Sequence, residues 1–200
     1  MNRKKFIGIV ATGVLGCLVA GSAPIFAQQN APAAPAGGKR ILVAYYSWSG
    51  NTKALAEKIG AGTGGELFEI VPADPYPTEY GECTERAKRE QQEGVRPALK
   101  AKPENIAEYD VVFVGSPNWW GSYAPPIRTL LDDPAFAGKT VVPFFTHGGG
   151  GMQRCESDMR KQLDGKSNVL KALTVSGSSA DGSRAQRAVD AWLREIGLAR

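Results

Sequence analysis

From about residue 40 onward, short apolar runs alternate with amphipathic stretches. Strands are predicted at Ile41–Tyr46, Glu66–Val71, Asp110–Ser116, Thr140–Thr146 and Val169–Ser176. Helices are predicted at Thr52–Ile59, Glu79–Gln92, Ile127–Leu131, Glu156–Leu163 and Ser183–Ile196. The last helix has the clearest period. Ala185, Ala188, Val189, Trp192, Leu193 and Ile196 form one stripe opposite Arg184, Arg187, Asp190 and Glu195. The runs Ile41-Leu-Val-Ala44, Val111-Val-Phe-Val114 and Val141-Val142 are continuous and β-branched rather than alternating. Strands covered on both faces of a parallel sheet read this way. Regular strand–helix alternation therefore predicts an α/β fold, a three-layer α/β/α sandwich around a five-stranded parallel sheet.

The first residues have a different pattern. Met1–Lys5 is basic, Phe6–Ala20 is apolar and small, and Ala23-Pro-Ile-Phe-Ala27 offers a small-residue cleavage site. Residues 1–27 are expected to be a secretory signal peptide, its apolar run short and glycine-rich for a membrane span. Val14-Leu-Gly-Cys17 also resembles a lipobox, which leaves lipidation at Cys17, and with it a membrane attachment, open. Residues 28–38 form an Ala/Pro/Gly linker with nothing to bury, so the folded domain is expected over 39–200. The predicted location is outside the cytoplasm, whether periplasmic, secreted or lipid-anchored.

Charge changes once the signal is set aside. The full chain carries 24 basic and 20 acidic residues. Without Arg3, Lys4 and Lys5 the count is 21 against 20, a net charge of +1. No basic face remains for nucleic acid. Cys83 and Cys155 could pair in an oxidising compartment, or serve as two unrelated small core residues. With one histidine and no C-x-x-C, a histidine- or cysteine-based metal site is not expected.

Candidate chemistry gathers in the loops that follow strand ends. Ser47-Trp-Ser-Gly-Asn-Thr52 joins the first strand to the first helix. A helix start offers unpaired N–H groups and a favourable dipole, and three hydroxyls with a glycine make it a socket for a phosphate monoester. Ser116-Pro-Asn-Trp-Trp-Gly121 follows the third strand, and Thr146-His-Gly-Gly-Gly-Gly151 follows the fourth. With strand order 2-1-3-4-5 these loops converge on one crevice, where a phosphate grip, an aromatic platform and a glycine-lined wall suit a flat, conjugated, phosphorylated ligand.

The motif Ser47–Thr52, followed by Ala56 and Ile59, resembles the phosphate loop of the flavodoxins, departing at Ala44 where a larger residue is usual. Asp110-Val-Val-Phe-Val-Gly-Ser-Pro-Asn-Trp-Trp-Gly121 and Gly138–Gly149 resemble later blocks of one flavodoxin-like branch, as do Tyr76-Pro-Thr-Glu-Tyr80 and Arg96-Pro97. The resemblance implies the flavodoxin-like sheet order 2-1-3-4-5 and the cofactor FMN. It implies that Ser47, Ser49 and Thr52 donate hydroxyls to the phosphate, and that Gly50 and Asn51 donate backbone N–H groups. Pro117, Asn118, Trp119, Trp120 and Gly121 are then expected along the ring edge, with Trp119 or Trp120 in contact. Trp48 and Tyr123 are weaker ring candidates. Thr146, Gly148 and Gly149 are expected on the pyrimidine side, with His147 either a flavin contact or a polar loop residue. Lys53 reads as a surface lysine.

Three other motifs are set aside. Gly60-Ala-Gly-Thr-Gly-Gly65 matches G-x-G-x-x-G but lies after a helix, where a glycine-rich helix stop is expected. His147-Gly-Gly-Gly150 lacks the G-x-S-x-G elbow of a lipase, and the hydroxyl turn lacks the Gly-Lys-Ser/Thr of a nucleotide-binding P-loop. The resulting expectation is an FMN-dependent redox protein, either an electron carrier or a reductase of a small acceptor such as a quinone, with unknown electron donor and acceptor. The alternative is a cofactor-free binding module on the same scaffold.

Overall fold

The computed structural model describes residues 38–200, so the signal peptide, Cys17 and nearly all of the linker lie outside the described residues. The strands are β1 (Ile41–Tyr45), β2 (Glu66–Glu69), β3 (Val111–Trp119), β4 (Ser122–Tyr123), β5 (Thr140–His147), β6 (Asn168–Val169) and β7 (Leu173–Ser176). The helices are α1 (Asn51–Thr63), α2 (Tyr80–Glu93), α3 (Pro125–Leu131), α4 (Cys155–Gln162) and α5 (Ser183–Glu195). All ten predicted elements are present. The order β2-β1-β3-β5 is parallel, with β6 and then β7 both pairing the outer edge of β5. The 2-1-3-4-5 arrangement therefore stands, with the fifth position filled by two short strands and β4 added as an antiparallel hairpin on β3.

The split of the fifth strand has its cause in β5. Thr140 N–H donates to Asp110 O on the β3 side (3.2 Å), so the N–H groups of Val142 and Phe144 also face β3. By alternation, position 143 faces the outer edge, and it is a proline with no N–H to give. β6 pairs residues 140 and 141, β7 pairs residues 144 to 147, and the gap between them lies opposite Pro143.

Alternation also divides the continuous apolar runs between two cores. Leu42, Ala44, Val112, Val114, Val141 and Phe145 face α2, α3 and α4. Val43, Tyr45, Val111, Phe113, Val142 and Phe144 face α1 and α5. Gly115 is needed for the second core, because a Cβ there would stand 2.2 Å from the Phe144 ring. The glycine run after α1 behaves as a helix stop. Gly64 is left-handed (φ 74°) and its N–H bonds Gly60 O at 2.8 Å.

Cys83 and Cys155 are both buried and both free, each a small member of the core under α2 and α4. Of the two readings left open by the sequence, the unpaired one holds in the structure. Burial pushes the Cys155 thiol up to about 12, so it is a protonated, inert packing group.

Candidate functional site

The strand order reverses between β1 and β3, and the loops leaving their carboxyl ends open onto a cavity of about 400 Å³. Each predicted loop contributes. The hydroxyl turn brings Trp48, Ser49, Asn51 and Thr52; β3 runs past the predicted Ser116, so its last residues bring Pro117, Asn118 and Trp119, and the hairpin after it Trp120; the end of β5 brings Thr146 and His147, and the loop after it Gly148. Ser47, Gly50, Gly121 and Gly149 do not face this space; they lie beside it in the same loops. Six further residues line it that the sequence reading missed. Tyr80, Cys83, Thr84 and Ala87 come from the first two turns of α2, and Gly177 and Ser178 follow β7. Their only local signal was the amphipathic period of α2 and a small-residue turn at a strand end.

The hydroxyl turn is built around Gly50, whose φ of 87° is left-handed and favours glycine at the entrance to α1. No side chain caps this helix. At α2, by contrast, Glu79 accepts from Glu82 N–H at 2.6 Å. Ser47 Oγ is buried and has no hydrogen-bond partner among the described residues. Buried hydroxyls are nearly always bonded, and an orphan costs about 1–3 kcal/mol. An uncapped helix start and an unpaired hydroxyl thus adjoin the cavity together. The other two predicted hydroxyls have partners: Ser49 Oγ accepts from Asn51 Nδ2 at 3.1 Å, and Thr52 Oγ1 pairs with Thr146 Oγ1 at 2.8 Å, which ties the α1 start to the end of β5. Lys53 is a surface residue, its Nζ 3.7 Å from Glu69.

Adjacent tryptophans take opposite roles. Trp119 is the last residue of β3 and packs inward, edge-on to Tyr76 (4.9 Å between centroids) and Tyr46 (5.5 Å). Trp120 and Gly121 form the two-residue loop between β3 and β4, both with positive φ (53° and 84°), as a type I′ hairpin requires. A tryptophan in that conformation is strained. Its ring is 51% exposed, with Nε1 donating to Thr84 O (3.0 Å) and Lys88 Nζ 5.1 Å from the ring centroid. Trp48 and Tyr80 (70% exposed) make a second aromatic rim, 6.3 Å apart, with Trp48 Nε1 donating to Pro77 O at 3.0 Å. Tyr123, the other weaker candidate, is buried away from the cavity among Gln162 and Arg128.

Asn118 staples the two glycine-bearing loops. Its Nδ2 donates to Gly151 O (2.7 Å) and its Oδ1 accepts from Gly121 N–H (3.0 Å). His147 Nδ1 accepts from Gly149 N–H at 3.0 Å, which puts the proton of the neutral ring on Nε2. Among the described residues no Asp, Glu, Lys or Arg lines the cavity. Burial raises the Cys83 thiol above its ordinary value, so this wall residue is uncharged too. Neutral donors at one end and aromatic rings along the sides can hold an anion at the helix start and a planar ring between the loops.

Fold and cleft define a doubly wound α/β protein with a ligand site at the switch point of its sheet. The chain belongs to the flavodoxin family, whose model matches residues 40–196. Among solved structures, a protein of Bacteroides eggerthii classed provisionally as a flavoprotein is 36% identical over 80% of this chain and 99% of its own, with a TM-score of 0.70. A second such protein, from Bacteroides uniformis, is 31% identical over 78% and 99% of the two chains, with a TM-score of 0.68. A flavoprotein from Lactobacillus acidophilus, solved in complex with FMN, is 32% identical over 72% of this chain and 97% of its own, with a TM-score of 0.62.

Proposed function

We propose that this protein binds FMN in the cleft between the three strand-end loops and works as a redox protein outside the cytoplasm, passing electrons to a partner or to a small acceptor such as a quinone. One observation carries the reading: the buried Ser47 hydroxyl has no partner of its own and stands at the uncapped start of α1. A phosphate there satisfies both. The residues present fit the group, and a relative solved with FMN supports the same cofactor.

In this reading Ser47, Ser49 and Thr52 hold the phosphate through hydroxyls, and the first amides of α1 through N–H groups. Thr52 can still bond a phosphate oxygen while its bond to Thr146 persists, since a hydroxyl both donates and accepts. Trp119, held edge-on by Tyr76 and Tyr46, and the outward-turned Trp120 form the wall on the β3 side. Thr146, His147 and Gly148 close the β5 side. FMN supplies one- or two-electron chemistry when bound, so the chain needs to bind, orient and shield rather than furnish a nucleophile.

Export rests on residues 1–27 and is read from their order of basic, apolar and small residues. Mass spectrometry of the mature N-terminus separates cleavage after Ala27 from lipidation at Cys17; an intact Met1 in the mature protein overturns export. The cofactor reading is tested by titrating purified residues 28–200 with FMN and following quenching of flavin fluorescence. Saturation at micromolar concentration or tighter is expected. A colourless protein with no binding on the order of micromolar would sink it.

A further inference from the structure

A second, shallower cavity of about 430 Å³ lies against the first and shares Asn118, Trp120, His147 and Gly148 with it. It extends over Gly121 and Gly150 to Gln153. Among the described residues only two non-glycine residues have positive φ, Trp120 (53°) and Gln153 (46°), and both line this space. Left-handed backbone at such residues costs on the order of 1–3 kcal/mol and gathers at functional sites.

The surroundings of Gln153 are also arranged to admit its side chain. A Cβ on Gly121 would stand 2.6 Å from Gln153 Oε1, and a Cβ on Gly150 would stand 2.6 Å from Gln153 Nε2. Two glycines thus make room for one carboxamide. Inside the protein that carboxamide makes a single long hydrogen bond, Nε2 to Gly150 O at 3.3 Å. Asn118 is held at both ends as a staple, whereas Gln153 keeps a spare N–H and an oxygen with no partner among the described residues, and His147 keeps its Nε2–H.

We infer that this cavity seats the small-molecule reactant of the protein, a neutral planar ring bearing carbonyl oxygens, stacked against Trp120 and hydrogen-bonded by Gln153 and His147. The lining is neutral, its free side-chain donors match carbonyl oxygens, and an aromatic face matches a conjugated ring. Among the described residues no Lys or Arg side chain lines this wall itself. The nearby Arg154, next to Gly121, is turned to Asp158, 3.8 Å away. The assignment rests on the FMN reading for its role, since sharing Trp120 and His147 with the first cavity places the ring beside the flavin.

The test uses the full chain, with and without FMN, titrated with 1,4-naphthoquinone. Tryptophan fluorescence reports binding in both forms, and the flavin absorbance band reports it in the loaded one. Saturable binding is expected, and Gln153→Gly is expected to weaken it about tenfold, the effect of one hydrogen bond. The same variant keeps the left-handed backbone at lower cost, so its thermal midpoint stays level or rises and its FMN affinity is unchanged. Gly121→Ala, which pushes its Cβ onto Oε1, is expected to reproduce the loss. Unchanged naphthoquinone binding in Gln153→Gly overturns the inference while FMN binding stands. Tighter binding of nicotinamide mononucleotide than of naphthoquinone overturns the ligand class. A chain that takes no FMN yet loses naphthoquinone affinity in Gln153→Gly overturns only the cofactor reading.

Discussion

Under α1 and α5 the sheet meets Leu55, Ile59, Val189, Trp192 and Leu193, and the strand residues that face them are Val43, Val111, Phe113, Val142 and Phe144. The one polar atom of Trp192 is satisfied at the rim, where Nε1 donates to Lys171 O at 3.0 Å. Under α2, α3 and α4 the core is threaded with polar side chains. Glu90, 7% exposed, accepts from the Tyr76 hydroxyl and from Arg86 Nε (2.8 Å), and the Arg86 guanidinium lies 4.5 Å from the Tyr76 ring centroid. Gln91 donates to the carbonyls of Trp119 (3.3 Å) and Tyr123 (2.7 Å), and Ser122 donates to Asp158 at 2.6 Å. The first face is held by close packing, which is non-directional. The second holds the β3–β4 hairpin and its tryptophans by directional bonds, which fix where a ring can stand. The directional bonds that position the site belong to the face under α2, α3 and α4, which is also the larger apolar core.

The sharpest way to break that contrast is to empty the face under α1 and α5. Trp192→Ala removes the ring that meets Phe113 edge-on at 5.7 Å and is expected to cost about 3–5 kcal/mol in urea unfolding. FMN affinity of the folded fraction should stay near the parent value. A large loss of affinity at equal folded fraction would show that the two faces are not separable in this way.

Glu90→Leu attacks the other face. It strands the Tyr76 hydroxyl and the Nε of Arg86, whose guanidinium keeps Asp74 (3.0 Å) and Pro75 O (3.1 Å), with an expected cost of about 1–3 kcal/mol. Here tryptophan fluorescence and FMN affinity should change together, because Tyr76 braces Trp119. Unfolding without any change in FMN affinity would remove the polar web from the site's support.

The hydroxyl turn separates folding from binding within one residue. Ser47→Ala deletes an unpaired buried hydroxyl, so urea stability is expected to hold or rise, by up to about 1 kcal/mol, while FMN binding weakens by about 1–3 kcal/mol. Thr52→Val should weaken FMN by a similar 1–3 kcal/mol, roughly, and should also lose about 1 kcal/mol of stability, because the bond to Thr146 goes with it. Equal effects of the two variants on stability would misplace the orphan.

The smallest effect is with pH. Burial, with a smaller push from Asp158 and an opposing pull from Arg154, raises Cys155 to about 12, and burial pushes Tyr123 up to about 12 against a partial opposing pull from Arg128. The folded chain keeps protons that the unfolded chain releases near 9.0 for the thiol and 10.0 for the phenol. Stability from these groups is therefore complete below those values and falls as pH rises towards 12. Urea midpoints measured from neutral pH into this window should decline, less steeply in Cys155→Ala than in the parent. A flat profile would show that neither group is held protonated by the fold.

The contrast between the faces also marks how far the residues could be read in order along the chain. The strand–helix alternation, the parallel sheet and the hydroxyl turn were legible because each is written within a single segment. Period two splits Val43 from Ala44, period 3.6 gathers Leu55 with Ile59, and Gly50 marks the entrance to α1. The break opposite Pro143 was not read from the sequence, because which neighbour its missing N–H would have faced depends on the sheet order. Tyr80, Cys83, Thr84, Ala87, Gly177 and Ser178 carried no local mark of a ligand wall, since sheet order alone brings α2 and the end of β7 to the hydroxyl turn.

Two neighbours state the division most directly. Sequence alone placed Trp119 and Trp120 together near the end of the third strand, in a loop; the structure carries β3 on through Trp119. Only the tertiary structure decided that Trp119 packs on Tyr76 and Tyr46 while Trp120 turns to the cleft, because a two-residue hairpin with positive φ reverses the chain between them. Likewise the sequence placed Ser47 and Thr52 in one turn. The structure left Ser47 unpaired and gave Thr52 to Thr146, 94 residues away, because hydrogen-bond satisfaction is a property of what the fold brings near and not of the residue itself.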